Sequence, residues 1–151
     1  MEQTFNVYLR LPPLPRYART ARLALAAMAA YHRVDQYNVE NLTMALGEAL
    51  ANAIVHSDTN DDIEVGFRID DDTIVATVSD RGRGIADPDG KLNAPLPSES
   101  SEQGRGFAIM ERCTDFFDVR SIPGGGTTVT LGQHRRNHQE GRRLQLNHQG
   151  A

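Results

Sequence analysis

Glu48 and Asn52, four residues apart, are the first side chains in this chain whose types and spacing could do chemistry. The stretch around them, Tyr37 to His56, reads as a helix, on which positions i and i+4 are neighbours. At roughly 100° per residue, Val39, Leu42, Leu46, Leu50 and Ala53 gather on the side opposite Glu48. Asn41, Glu48, Asn52 and His56 share the remaining face. A carboxamide oxygen suits a hard divalent cation such as Mg2+, and a carboxylate beside it can polarise an attacking hydroxyl or water. Gly47, Ala49, Ala51 and Ala53 leave room for a bulky ligand. Taken singly, such a pair also describes a solvated helix face. His56 reads as a helix-end histidine rather than a metal ligand, because no second histidine or cysteine stands at a useful spacing.

Two glycine-bearing segments extend the pattern. Asp80-Arg81-Gly82-Arg83-Gly84 directly follows the strand-like run Ile74 to Ser79. Asp and Gly serve any strand-ending turn. They also suit an adenine pocket, with Asp80 accepting from the exocyclic amine while Gly82 and Gly84 let the backbone approach the base. Further on, Gly104-Arg105-Gly106-Phe107 stands just ahead of an expected helix from Gly106 to Thr114. Backbone N–H groups at a helix start form a cradle for phosphates. Arg105 either adds a charged contact to the terminal phosphate or points outward. On the last strand a threonine hydroxyl, Thr127 in preference to Thr128, is placed to support Asp80.

The elements that must position these groups follow from periodicity. Thr4 to Leu11 alternates as a strand and is stopped by Pro12-Pro13. A helix is expected from Arg16 to His32, with Tyr17, Ala21, Leu25 and Met28 buried. After the helix bearing Glu48 come a hairpin (63–70 and 73–79) and a long Pro- and Ser-rich loop over 86–103. The helix from Gly106 follows, then a hairpin (116–121 and 127–131) across Pro123-Gly124-Gly125-Gly126. This order predicts an α+β fold with helices on one face of a mixed sheet.

Composition narrows the function classes. At 151 residues, 39% apolar and 24% charged, the chain reads as one soluble domain. The single cysteine, Cys113, fits a reducing cytoplasm, and neither a signal peptide nor a membrane-spanning run is expected. The net charge is −4, but residues 133–151 carry four arginines against one glutamate, leaving the body at −7. An acidic body argues against direct nucleic-acid binding, and the basic stretch reads as a flexible tail beyond a domain of residues 1–132. No Gly-x-x-x-x-Gly-Lys-Ser/Thr loop is present, and the only lysine is Lys91.

The three segments, in this order and context, resemble the histidine-kinase-like (Bergerat-fold) ATPase superfamily. Over residues 5–132 the chain looks most like the anti-sigma-factor serine/threonine-protein kinases of bacterial stress and sporulation control. Leu11-Pro12-Pro13-Leu14-Pro15 before an arginine-bearing helix, the run Met44 to His56, and Gly104 to Glu111 carry that likeness. The resemblance implies a two-layer sandwich, a mixed sheet with helices on one face. It implies ATP and Mg2+, with Glu48 as catalytic base, Asn52 as Mg2+ ligand and Asp80 as adenine contact. Gly82 and Gly84 would shape the base pocket, and Gly104 and Gly106 would hinge a lid over the phosphates. The implied reaction is phosphorylation of a serine on an anti-anti-sigma (STAS-type) protein. The implied alternative state is a complex with a sigma factor, and a homodimer is implied as well. A nucleotide-binding regulatory module with little or no kinase activity, acting by partner switching, is the competing reading; an intact Glu48 favours the enzyme.

Overall fold

The computed structural model describes residues 2–56, 60–82 and 102–136. Strand β1 (Phe5–Leu11) ends at the prolines, which have no N–H to extend a ladder. Helix α1 (Arg16–Tyr31) starts behind Pro15, whose φ of −53° already suits a helix. It closes through Arg33 at φ 52°, with the Val34 amide donating to Ala29 O. Helix α2 (Gln36–His56) is capped by Asp35, whose carboxylate accepts from the Tyr37 amide at 2.9 Å. Strands β2 (Ile63–Ile69) and β3 (Thr73–Asp80) form a hairpin. Its turn is held by Asp70, which accepts from the amides of Asp72 and Thr73 at 2.9 and 2.7 Å. Helix α3 (Glu102–Arg112) leads to β4 (Phe116–Ile122) and β5 (Gly126–His134). Among the described residues no helix is long and apolar enough to cross a membrane.

The five strands lie in the order β1-β2-β3-β5-β4. All four pairings are antiparallel, where the sequence reading expected a mixed sheet. The reason lies in the connection through α3. It returns the chain so that β4 runs in the direction of β3, and β5 then fills the gap between them, antiparallel to both.

Register explains the core. Val65, Val78, Val129 and Val119 form one cross-sheet row, and Phe67, Ala76, Leu131 and Phe117 the next. Side chains directly opposite in a ladder share a face. That face carries the buried set, covered by Ala21, Leu25 and Met28 of α1 and by Leu42, Leu46, Leu50 and Ala53 of α2. Of the expected stripe residues, Tyr17 and Val39 are only partly buried. The rows end in polar groups at one edge: Asp80 lies opposite Thr127, and Thr127 opposite Ser121.

At the far end of β5 the expected domain boundary at 132 falls inside the strand. Gln133 is 3% exposed and Asn38 1%. Asn38 Nδ2 donates to Gln133 Oε1 at 2.8 Å, and Gln133 Nε2 to Cys113 O at 2.6 Å. Arg135 donates through its guanidinium to Asp70 O and His32 O, both at 2.8 Å, and Arg136 lies 3.5 Å above the Tyr37 ring. Residues 133–136 thus belong to the folded body. The rest of the basic stretch lies outside the described residues.

Candidate active site

Helix α2 buries one flank and leaves Glu48, Asn52 and His56 on another. They meet Arg105 and Ile109 of α3 across a cleft of about 330 Å³, completed by Ala51 and Val55. Small residues on α2 and a glycine on α3 set the spacing. A Cβ on Gly106 would lie 3.3 Å from Glu48 Oε2 and 3.5 Å from Asn52 Nδ2. The backbone of α3 therefore stands directly against the carboxylate and the carboxamide, and a side chain at 106 would crowd the carboxylate while resting in ordinary contact with the carboxamide.

Helix α3 begins at Glu102, not at Gly106 as expected, so Gly104, Arg105 and Gly106 are helical. Glu102 and Gln103 are good helix formers. Together with packing on α2 these offset the roughly 1 kcal/mol that each glycine costs in a helix. Gly104 stays in the first turn, whose amides lack acceptors within the helix. Arg105 is exposed and lines the cleft. Phe107 does not line it. Its ring packs against the core, 6.1 Å from that of Phe117.

Asp80 closes β3 on the core face, half-buried. Its Oδ1 accepts from the Gly82 amide at 2.8 Å, and the Thr127 amide also donates to it. Burial pushes its carboxyl above the ordinary carboxylate value, while those two amides and the His56 charge pull the other way. Thr127 thus supports Asp80 through its backbone. Its hydroxyl is paired with Ser121 Oγ at 3.1 Å, whereas Thr128 faces away and pairs with Ser79 at 2.9 Å. Gly82 is described and buried; Gly84 and most of the expected 86–103 loop lie outside the described residues.

Two contributors escaped the sequence reading. Gly126, read only as part of a turn, has φ 92°, and a Cβ there would lie 2.9 Å from Arg81 Cα. It lets the β4–β5 turn press against the backbone of Asp80. His56 lines the cleft one helical turn beyond Asn52 and is among the influences that lower the Asp80 carboxyl against its burial. The i+4 spacing from Asn52 was the available signal.

The donor set can be tested against a metal nucleotide. Among the described residues no group of three or more His, Cys, Asp or Glu could hold a metal ion. Mg2+ bound with a nucleotide keeps waters and takes few protein oxygens alongside substrate phosphates. Asn52 carries such an oxygen beside the Glu48 carboxylate, and the gap at Gly106 admits backbone to the same point.

This arrangement, a two-layer α/β sandwich with an acid–amide pair facing a glycine-bearing helix, defines a class. Residues 11–132 match the histidine kinase-like ATPase domain, and the chain belongs to that family. It is similar to the anti-sigma F factor of Pasteuria penetrans, 34% identical over 118 residues that cover 74% of this chain and 78% of that protein. It is also similar to the anti-sigma F factor of Anoxybacillus flavithermus, 29% identical over 85% of this chain and 92% of that one. The crystal structure of the RsbU and RsbW domains of a Mycobacterium tuberculosis protein shares the fold. Its TM-score is 0.67 at 23% identity, covering 88% of this chain and 33% of that one.

Proposed function

We propose that the protein is an ATP-dependent serine kinase and anti-sigma factor. It phosphorylates an anti-anti-sigma protein and, in its alternative state, sequesters a sigma factor. The observation that carries this reading is the meeting of Glu48, Asn52 and the Gly106 backbone at one cleft, with Asp80 at the end of the adjoining strand. Likeness to proteins named anti-sigma F factor supports the partner class.

In this reading Asp80 accepts a hydrogen bond from the adenine amine, and Gly82 and Gly84 keep the backbone clear of the base. First-turn amides of α3 near Gly104, with Arg105, hold the phosphates. Mg2+, held by the Asn52 oxygen, would offset charge on the phosphate oxygens. Glu48 takes the proton of the serine hydroxyl as that oxygen bonds to the γ-phosphorus. The bond to the β–γ bridging oxygen breaks, and ADP leaves with its electron pair. Positioning and charge neutralisation do most of the work. The protein acts in the cytoplasm as a homodimer.

The test is incubation with γ-labelled ATP, Mg2+ and the anti-anti-sigma proteins encoded in the same genome. Wild type should label one serine. Glu48→Gln should bind ATP normally and transfer at least about 100-fold more slowly, the usual loss for a general base. Full transfer by that variant would remove Glu48 from the mechanism, and a wild type that binds no ATP would end the whole reading.

A further inference from the structure

Asp80 is bounded by a turn with little stiffness of its own. Pro123 is followed by Gly124, Gly125 and Gly126, with Gly124 and Gly126 at positive φ, and consecutive glycines leave a backbone unusually free. Yet the place of this turn matters. Gly126 packs so closely on β3 that a Cβ there would overlap Asp80 O and lie 2.9 Å from Arg81 Cα. Thr127, the next residue, pairs with Asp80 in the β3–β5 ladder, and its amide donates to the Asp80 carboxylate.

The turn is held on its other side by Ser121 of β4, which pairs with Thr127 in the β4–β5 ladder. Its partly buried hydroxyl bonds to Thr127 Oγ1 at 3.1 Å and donates to Gly126 O at 3.4 Å, long for such a bond. One side chain thus touches both residues through which the start of β5 meets Asp80. Resting on the nucleotide reading given above, we infer that Ser121 is a positioning residue for base recognition: through Thr127 and Gly126 it fixes the place of the Asp80 carboxylate, and so sets the preference for a purine bearing a 6-amino group. The sheet also supplies a control. Ser79 and Thr128 form a like hydroxyl pair at 2.9 Å between β3 and β5, but on the opposite face, because successive strand residues alternate sides.

The full chain, Ser121→Ala, Ser121→Thr and Ser79→Ala are titrated calorimetrically, at fixed Mg2+, with ADP and with purine riboside 5′-diphosphate, which lacks the amine. Wild type should prefer ADP at least about tenfold, as expected for one hydrogen bond to a charged acceptor. Ser121→Ala should lower that preference about threefold or more, through weaker ADP binding, with the affinity for the analogue kept. Ser121→Thr, which keeps the hydroxyl on a residue suited to strands, should restore the preference, and Ser79→Ala should leave it unchanged. If Ser121→Ala proves unstable, Ser121→Val, which also lacks the hydroxyl, serves the same comparison. An unchanged preference in a folded variant would overturn the assignment. So would an equal loss for both ligands, or an equal fall in Ser79→Ala, since each would reduce Ser121 to a structural role. A wild type that binds both ligands alike would overturn the inference by removing the amine contact, and one that binds neither would overturn the nucleotide reading itself.

Discussion

Gly106→Ala separates the fold from the site, because the same methyl group acts on each with opposite sign. In a helix interior alanine is favoured over glycine by about 1 kcal/mol. Against this, the new Cβ would lie 3.3 Å from Glu48 Oε2 and 3.5 Å from Asn52 Nδ2. Carbon contacts are comfortable nearer 3.5–4.0 Å, so Glu48 must turn aside. A side chain about 30° off its rotamer costs about 0.5–1.5 kcal/mol. The two terms nearly cancel, and the melting temperature should move by no more than about 5 °C. The site has no such compensation, since the carboxylate is the group displaced. A misplacement of about 1 Å near the reacting atoms costs on the order of 100-fold in rate, so the few tenths of an ångström that Glu48 must give should slow transfer several-fold. ATP affinity should fall several-fold as well, by less than about 1.4 kcal/mol. The assays are a thermal melt, calorimetric ATP titration, and transfer from γ-labelled ATP. A variant that melts as expected but binds and transfers within twofold of wild type would refute the claim that the α3 backbone bounds the site.

Three further outcomes are expected. Asp80→Asn should leave stability at pH 7 unchanged or raised. Burial lifts the Asp80 carboxyl, so its favourable contribution is present below the ordinary carboxylate pKa and lost as pH rises through the raised value; ATP affinity should nevertheless fall at least about tenfold, and melts paired with titrations would show either half failing. Asp70→Ala removes the acceptor of two turn amides and the Thr73 hydroxyl and should cost about 1–3 kcal/mol in urea unfolding without changing ATP binding. Because the Asp70 pKa is lowered by those hydrogen bonds, prevailing over an opposing burial effect, its contribution is present above the ordinary carboxylate pKa and lost as pH falls through the lowered value, so mutant and wild type should converge in acid. Asn38→Ala strips partners from Gln133 and from the Arg136 amide, and a loss of about 2–4 kcal/mol in denaturant titration is expected; a loss below about 0.5 kcal/mol would show that the polar lock contributes little.

Much of the architecture was legible because its signals are short-ranged. Alternation over Ile63 to Ile69 and Ile74 to Val78 announces strands with one buried face. Asp35 before α2 and the prolines after β1 mark boundaries through local chemistry. Helical spacing alone places Glu48 and Asn52 side by side. The start of α3 was misread because glycines at 104 and 106 look like a loop when only propensity is weighed. What outweighs that propensity is contact with α2, more than fifty residues away in sequence. The end of β5 was misread similarly. Gln133 to Arg136 look like a charged tail until Asn38, 95 residues from Gln133, supplies the partner that makes their burial favourable.

By itself the sequence determined which residue types could bind and transfer, and which helix and turn would carry them, since backbone periodicity and turn chemistry act over a few residues. Only the tertiary structure decided that Gly106 abuts Glu48 and Asn52, that His56 belongs to the cleft, and that Thr127 supports Asp80 through its amide rather than its hydroxyl. Those relations depend on strand register and on how closely two helices approach. Both are set by packing the whole core, and no local pattern encodes them.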